Sequence, residues 1–292
     1  MSFSGKVKEE LLEHYARARH CDIAELSAIV HMCGAFGSGY KGVCCLKVHT
    51  ENLGVARKCF TLLEKTFNIK NDIVVRRNAG KDNYSYYIYA KGEELMAIRD
   101  TIVQAVCCKR AYIRGAFIAS GSMSDPSKSY HFEIKCNNNK KSEQLIKLLK
   151  KFEIDAKTVA RKGNYVVYIK EGEEIVDVLN VMEAHVALME MENIRILKGM
   201  SNYYNRQNNC ETANLMKTVT TSFRQIQDIN YIIEKEGIKF LPQKLQDIAM
   251  IRLDNPDASL QELGEMLDPP LGKSGVNHRL RKICQIADDL RA

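Results

Sequence analysis

Residues 111–122 read AYIRGAFIASGS, and residues 30–40 read VHMCGAFGSGY. Both contain Gly-Ala-Phe, at Gly34-Ala35-Phe36 and at Gly115-Ala116-Phe117, 81 residues apart. An apolar run with small residues at its centre predicts a helix pressed against another helix, because glycine lets two backbones approach closely. Two such helices at a fixed offset predict a pseudo-dimer within one chain, packed about a local two-fold axis. Gly34, Ala35, Gly115 and Ala116 are then the expected helix-interface residues. A tripeptide alone can coincide by chance, so the flanking sequence decides.

The flanks repeat. The first helix is expected over Ile23–Ala35, capped by Asp22. After it come a β-rich run (Gly42–Thr50), an amphipathic helix (Asn52–Phe67), strands over Asp72–Arg77 and Asn83–Ala90, and a helix from Gly92. After the second come Ser129–Cys136, Lys140–Phe152, Asp155–Arg161, Tyr165–Lys170 and a helix from near Gly172. The match is closest between NYSYYIYAKGEEL (Asn83–Leu95) and NYVVYIKEGEEI (Asn164–Ile175). A unit of this length is too long for a solenoid repeat. It predicts a duplicated α+β domain over residues 21–192, with repeats at about 22–105 and 109–192. A helix starting at Ser4 precedes it within residues 1–20.

Composition bounds the rest. The chain has 292 residues and a formal net charge of +7. No run approaches the roughly 20 apolar residues of a membrane span, and the first residues lack the apolar core of a secretory signal. Ten cysteines include the adjacent pairs Cys44-Cys45 and Cys107-Cys108, without CxxC or Cys/His zinc spacing. They read as reduced, mostly buried thiols in a cytosolic protein, with a metal site assembled from distant cysteines as the alternative. No metal or cofactor is expected. From Arg206 onward there are twelve Lys/Arg and twelve Asp/Glu, yet two stretches are locally basic. Arg195–Arg224 holds five cations and one acid, and Pro269–Ala287 holds Lys273, Arg279, Arg281 and Lys282 with no acid. Such patches point to a polyanion partner.

Asparagine-rich, cation-bearing residues 193–210 read as a basic interdomain linker. A long helix is expected from about Glu211 to Glu236, with Ala213, Met216, Val219, Phe223, Ile226, Ile229 and Ile233 as one apolar stripe. Three shorter helices follow within a C-terminal helical domain, 211–292. Pro242 opens the first, and Ser259-Leu260-Gln261-Glu262 is a capping box that opens the second. Ser274 is read as the cap of the third. Val276, Leu280, Ile283, Ala287 and Leu290 fall on its inner face; Asn277, His278, Arg281, Lys282 and Gln285 fall on the other. Residues 258–291 therefore read as a helix-turn-helix whose last helix enters the major groove. The DNA-binding candidates are Lys273, Ser274, Asn277, His278, Arg279, Arg281 and Lys282. Arginine and lysine reach guanine edges or phosphates, asparagine pairs with adenine, and the free amides of the helix start can hold a phosphate.

The two Gly-Ala-Phe segments, with the helix and strand order that follows each, resemble the LAGLIDADG homing endonucleases. With the helix-turn-helix added, the whole chain resembles the WhiA family of sporulation and cell-division regulators. The opening SFSGKVKEEL, residues 109–134, NCETANLMKTV at Asn209–Val219 and QIQDI at Gln225–Ile229 carry that resemblance. It implies two LAGLIDADG helices at a pseudo-two-fold interface, and control of cell-division, chromosome-segregation or sporulation genes. Homing enzymes need a carboxylate near the end of each signature helix to hold a divalent metal, and alignment on the glycines puts Gly39 and Ser120 there. Neither supplies the negative charge that metal-assisted phosphodiester cleavage requires. The expected function is a non-enzymatic, sequence-specific transcription regulator in the cytoplasm, associated with the nucleoid. Its expected partners are double-stranded promoter DNA and either RNA polymerase or another transcription factor, with no membrane. The alternatives are a metal-dependent endonuclease and a protein-only adaptor for RNA polymerase.

Overall fold

The computed structural model describes residues 1–38, 43–77, 83–99 and 103–291. The chain divides into two compact units, Met1–Gly199 and Met200–Ala292, each with its own core.

The first unit opens with α1 (Phe3–Glu13). Ser2, rather than Ser4, caps it by accepting from the Gly5 amide; the Ser4 hydroxyl accepts from the Met123 amide instead. Two repeats of one pattern follow. The first is α2 (Arg19–Cys33), β1 (Gly34–Ser38), β2 (Cys44–Thr50), α3 (Leu53–Phe67), β3 (Asn71–Arg77), β4 (Tyr84–Lys91) and α4 (Leu95–Arg99). The second is α5 (Val106–Ser120), β5 (Gly121–Met123), β6 (Phe132–Cys136), α6 (Asn139–Lys150), β7 (Lys157–Arg161), β8 (Asn164–Ile169) and α7 (Gly172–Met182). Each repeat forms an antiparallel sheet, ordered β1-β2-β4-β3 and β5-β6-β8-β7. Asn52 and Asn138 cap α3 and α6 with their side-chain oxygens, the placement that short polar side chains favour. The fold is the expected α+β duplication, with one strand more per repeat than expected, β1 or β5, directly after each central helix.

That extra strand corrects the reading of the opening motif. Helix α2 stops at Cys33, so Gly34, Ala35 and Phe36 lie in β1, whereas Gly115, Ala116 and Phe117 lie inside α5. Gly34 has extended backbone and caps α2, its amide donating to the Val30 carbonyl. Gly121 caps α5 in the same way, donating to the Phe117 carbonyl. Gly34 is therefore the structural counterpart of Gly121, not of Gly115. The pairing Gly34↔Val48 through Ser38↔Cys44 gives these residues sheet partners that a continued helix would forgo. At Gly115 the helix contact is real: a Cβ there would lie 2.4 Å from the Glu25 carbonyl oxygen and 3.0 Å from the Ala28 Cβ. Ala28 is the small residue that α2 contributes.

The α2–α5 seam also buries charge. Glu25 receives Arg114 Nε at 3.0 Å and Lys58 Nζ at 2.6 Å, with all three side chains at most 2% exposed. Lys58 also donates to the Leu11 and His14 carbonyls, and Arg114 reaches Glu183 at 2.5 Å. Burial holds the Lys58 ammonium below its usual range even with Glu25 beside it. Removing one member would strand a buried charge, at a cost of about 3–5 kcal/mol.

The helix expected from near Gly172 does not run on to the expected repeat end at residue 192. Helix α7 ends at Met182, where Glu183 adopts a left-handed conformation, and α8 starts afresh at His185 and runs to Glu236. Residues 193–210 are thus helical rather than an irregular linker, and no helix begins at Glu211. The segment holds no proline. Its ends are tied by packing, at Ala187 and Met191 in the first unit and at Ile229 and Ile232 in the second. A polar helix persists between such anchors because propagation is far easier than nucleation. The first half of the expected apolar stripe is not inward: Met216, Val219 and Phe223 are exposed.

In the second unit, a short 3₁₀ turn (Ile238–Phe240) leads to α9 (Gln243–Asp254), α10 (Leu260–Glu265) and α11 (Lys273–Arg291). The capping box at Ser259 and Glu262 is present. Leu245, Ile248, Leu263, Val276, Leu280, Ile283 and Ala287 form the core, each large aliphatic side chain contributing roughly 1.5–3 kcal/mol by leaving water. Among the described residues, no helix is long and apolar enough to cross a membrane.

Candidate nucleic-acid interface

Helix α11 is positioned by the turn before it. The Gly264 carbonyl accepts from the Leu271 amide at 2.9 Å, and a Cβ on Gly264 would sit 1.9 Å from the Leu271 oxygen. Only glycine permits that approach, so α10 and the start of α11 are locked at close range. Arg252 fastens the preceding turn; its buried guanidinium donates to the Ala258 carbonyl at 2.7 Å. Ser274 does not cap α11. The first helical bonds run to the Gly272 carbonyl, which places Lys273 and Ser274 in the first turn.

The candidate residues separate by environment. Lys273, Ser274, His278, Arg281 and Lys282 are exposed. Asn277 is half-buried and lines a groove of about 1050 Å³ together with Lys273 and Arg281. Across that groove lie Lys217, Thr218, Thr221 and Arg224 of α8 and Ser259 at the start of α10. Arg279 stands apart, half-buried with its guanidinium donating to the Lys244 carbonyl of α9. Sequence reading missed the α8 hydroxyls, since nothing in their spacing indicates that they face α11. Arg291 is structural: it pairs at 2.7 Å with Asp228, which is buried to 1% exposure, and its side chain also meets Asp288.

The first unit carries a second cationic surface. On β2, β3 and β4, His49 stacks on Tyr87 at 4.6 Å, and Lys47 and Arg76 lie over the same ring at 5.1 and 5.2 Å.

Gly39 lies outside the described residues. With Gly34 matched to Gly121, the residues that end the two central helices are Cys33 and Ser120. The Cys33 thiol donates to the Ile29 carbonyl and the Ser120 hydroxyl to the Ala116 carbonyl. Burial pushes the Cys33 thiol up to about 12. Neither helix end supplies a carboxylate. Asp125 is exposed, held below the usual carboxylate range by the Ser127 hydroxyl and amide.

A duplicated LAGLIDADG-like domain joined to a helix-turn-helix with a basic outer face defines a class of DNA-binding protein. Residues 19–101 match the WhiA N-terminal LAGLIDADG-like domain, 109–201 the WhiA LAGLIDADG-like domain, and 204–287 the WhiA C-terminal HTH domain. The chain belongs to the WhiA family. It is 47% identical to a probable cell division protein WhiA of Lachnoclostridium phytofermentans, with all of both chains covered. It is 42% identical to the corresponding protein of Clostridium botulinum, covering 100% of this chain and 99% of that one. Full-length WhiA from Thermatoga maritima, a crystal structure, superimposes with a TM-score of 0.64 at 26% identity over 99% of each chain.

Proposed function

We propose that this protein is a non-catalytic transcription regulator of the WhiA type, acting on cell-division or sporulation genes through promoter DNA. The observation that carries the reading is α11. Its inner face is locked into the core, while Lys273, Arg281 and Lys282 stand exposed near its N-terminal half. Arg281 and Lys282 serve as base or phosphate contacts, and Asn277 reads adenine or holds phosphate from the groove wall. Lys273 and Ser274 hold a backbone phosphate at the helix start, with His278 beside them. Arg279 contributes less, because its guanidinium is already engaged. RNA polymerase or another transcription factor fits the first unit, whose helix ends lack the acid pair that a nuclease needs.

Gel shifts with promoter fragments test this. A base-edge contact is worth roughly 1–3 kcal/mol, so Arg281→Glu is expected to weaken specific binding about tenfold or more. Its melting temperature should stay near wild type, since surface changes away from structural pairs stay within about 0.5 kcal/mol. Lys239, exposed on the 3₁₀ turn, is a suitable control for charge reversal; Arg291 is not, because of Asp228. Wild-type binding by both Arg281→Glu and Lys282→Glu at moderate salt would remove α11 as the reading helix and leave α8 as the alternative.

A further inference from the structure

The two cysteine-bearing dipeptides His20-Cys21 and Cys107-Cys108 are far apart in sequence and occupy equivalent places in the duplication. Each is the second and third residue of a central helix, α2 or α5. The folded seam brings them together. One ligand atom from each of the four residues lies within 4.8 Å of all the others. The His20 Nδ1 is 3.1 Å from the Cys108 Sγ and 3.3 Å from the Cys21 Sγ. Four donors bound tetrahedrally to zinc, at its usual bond lengths, stand about 3.5–3.8 Å from one another. The cluster is therefore within a side-chain adjustment of a closed four-ligand site.

We propose that His20, Cys21, Cys107 and Cys108 form a structural zinc site that staples the two repeats across the pseudo-two-fold axis. Three sulfurs and one imidazole are a donor set that zinc takes in structural sites. The surroundings fit the charge. Each thiol releases its proton to solvent as the cation binds, leaving a complex with one net negative charge. Neither helix has a side-chain cap, with Ala18 and Ala105 at those positions, so the positive ends of two helix dipoles face the sulfurs. Arg19, Lys109 and Arg110 adjoin the ligands in sequence.

Access and burial fit too. His20 and Cys107 are exposed and give the ion a way in, whereas Cys21 and Cys108 are buried. The buried pair packs with Ala24 and Ala111 in a small apolar cluster separate from the main core, which shields the sulfurs from oxidants. The site lies at the opposite helix ends from Cys33 and Ser120, so it is distinct from the position where homing enzymes hold catalytic metal.

The test uses the full chain, purified with reductant and without chelator. Elemental analysis is expected to give about one zinc per chain, and cobalt(II) in its place the thiolate charge-transfer and visible bands of a tetrahedral sulfur site. Wild type should melt at a lower temperature in a strong chelator, as loss of a native-state ligand requires. The double variant His20→Ala/Cys107→Ser changes only exposed ligands, so it should fold. It should retain almost no zinc and melt alike with and without chelator. Cys210→Ser, in the second unit, should keep the wild-type zinc content. The proposal is overturned if wild type holds no zinc, if the double variant holds as much as wild type, or if cobalt shows no thiolate band. A Cys21–Cys107 or Cys21–Cys108 disulfide in zinc-free protein from reducing conditions would overturn it as well.

Discussion

Two glycines that look alike in sequence do different work. Gly34 ends a helix and starts a strand; Gly115 sits where α5 touches α2. A shared tripeptide records composition, not dihedral angles, and the helix break at Cys33 comes from a sheet partner that only the folded chain supplies. For Gly115 the geometry permits a sharp expectation. A Cβ would press on the Glu25 backbone at 2.4 Å, and a backbone carbonyl inside a packed helix cannot rotate away. Gly115→Leu should cost roughly 1–3 kcal/mol or more through overpacking, read as a lower melting temperature of the first unit. An unchanged melt would show that the seam can open without penalty. The Glu25–Lys58–Arg114 cluster beside it was not legible, because its members come from three elements whose approach no periodicity encodes. The four-residue thiol and imidazole cluster was hidden for the same reason, since adjacent cysteines lack any recognised zinc spacing.

Elements with strong periodicity or caps were the legible ones. The capping box of α10 and the inner face of α11 are set by local chemistry, and both appear in the structure as the sequence indicates. The three strands expected in each repeat lie within a few residues of where alternation puts them, whereas β1 and β5 leave no alternating signal. The stretch over 193–210 is where local signals mislead: asparagine and charge indicate a loop, yet the chain is helical there. Those residues are poor but tolerated helix formers, and the packed turns on either side carry the helix through them. Gly199 is exposed within that stretch, and a Cβ there would meet nothing within 4 Å. Exposed helical glycine costs roughly 0.5–1 kcal/mol relative to alanine. Gly199→Ala is therefore expected to raise helical ellipticity slightly and shift the denaturation midpoint upward. A downward shift would argue that residue 199 is not in regular helix.

At the scale of the whole chain, the order of domains was readable because duplication and helix-turn-helix leave long-range patterns that single-residue errors do not erase. The functional question is whether this LAGLIDADG-like duplication can cleave a phosphodiester. Cleavage of a phosphodiester needs a divalent ion held by anionic oxygens where two helix ends converge. Here those ends carry a protonated thiol and a hydroxyl, each already hydrogen-bonded to its own helix. Among the described residues, the cluster with metal-ligating spacing is the sulfur-rich one at the other ends of the same helices. Sulfur and imidazole donors favour zinc over magnesium, and a closed four-ligand site leaves no position for an attacking water. The full chain incubated with supercoiled plasmid and Mg²⁺ or Mn²⁺ should therefore leave the plasmid intact over hours, whether or not zinc is present. Nicking that follows the protein through purification and vanishes in an Asp125→Ala variant would restore the nuclease reading. Nicking abolished instead by His20→Ala/Cys107→Ser would move the chemistry to the thiol cluster and refute its structural role.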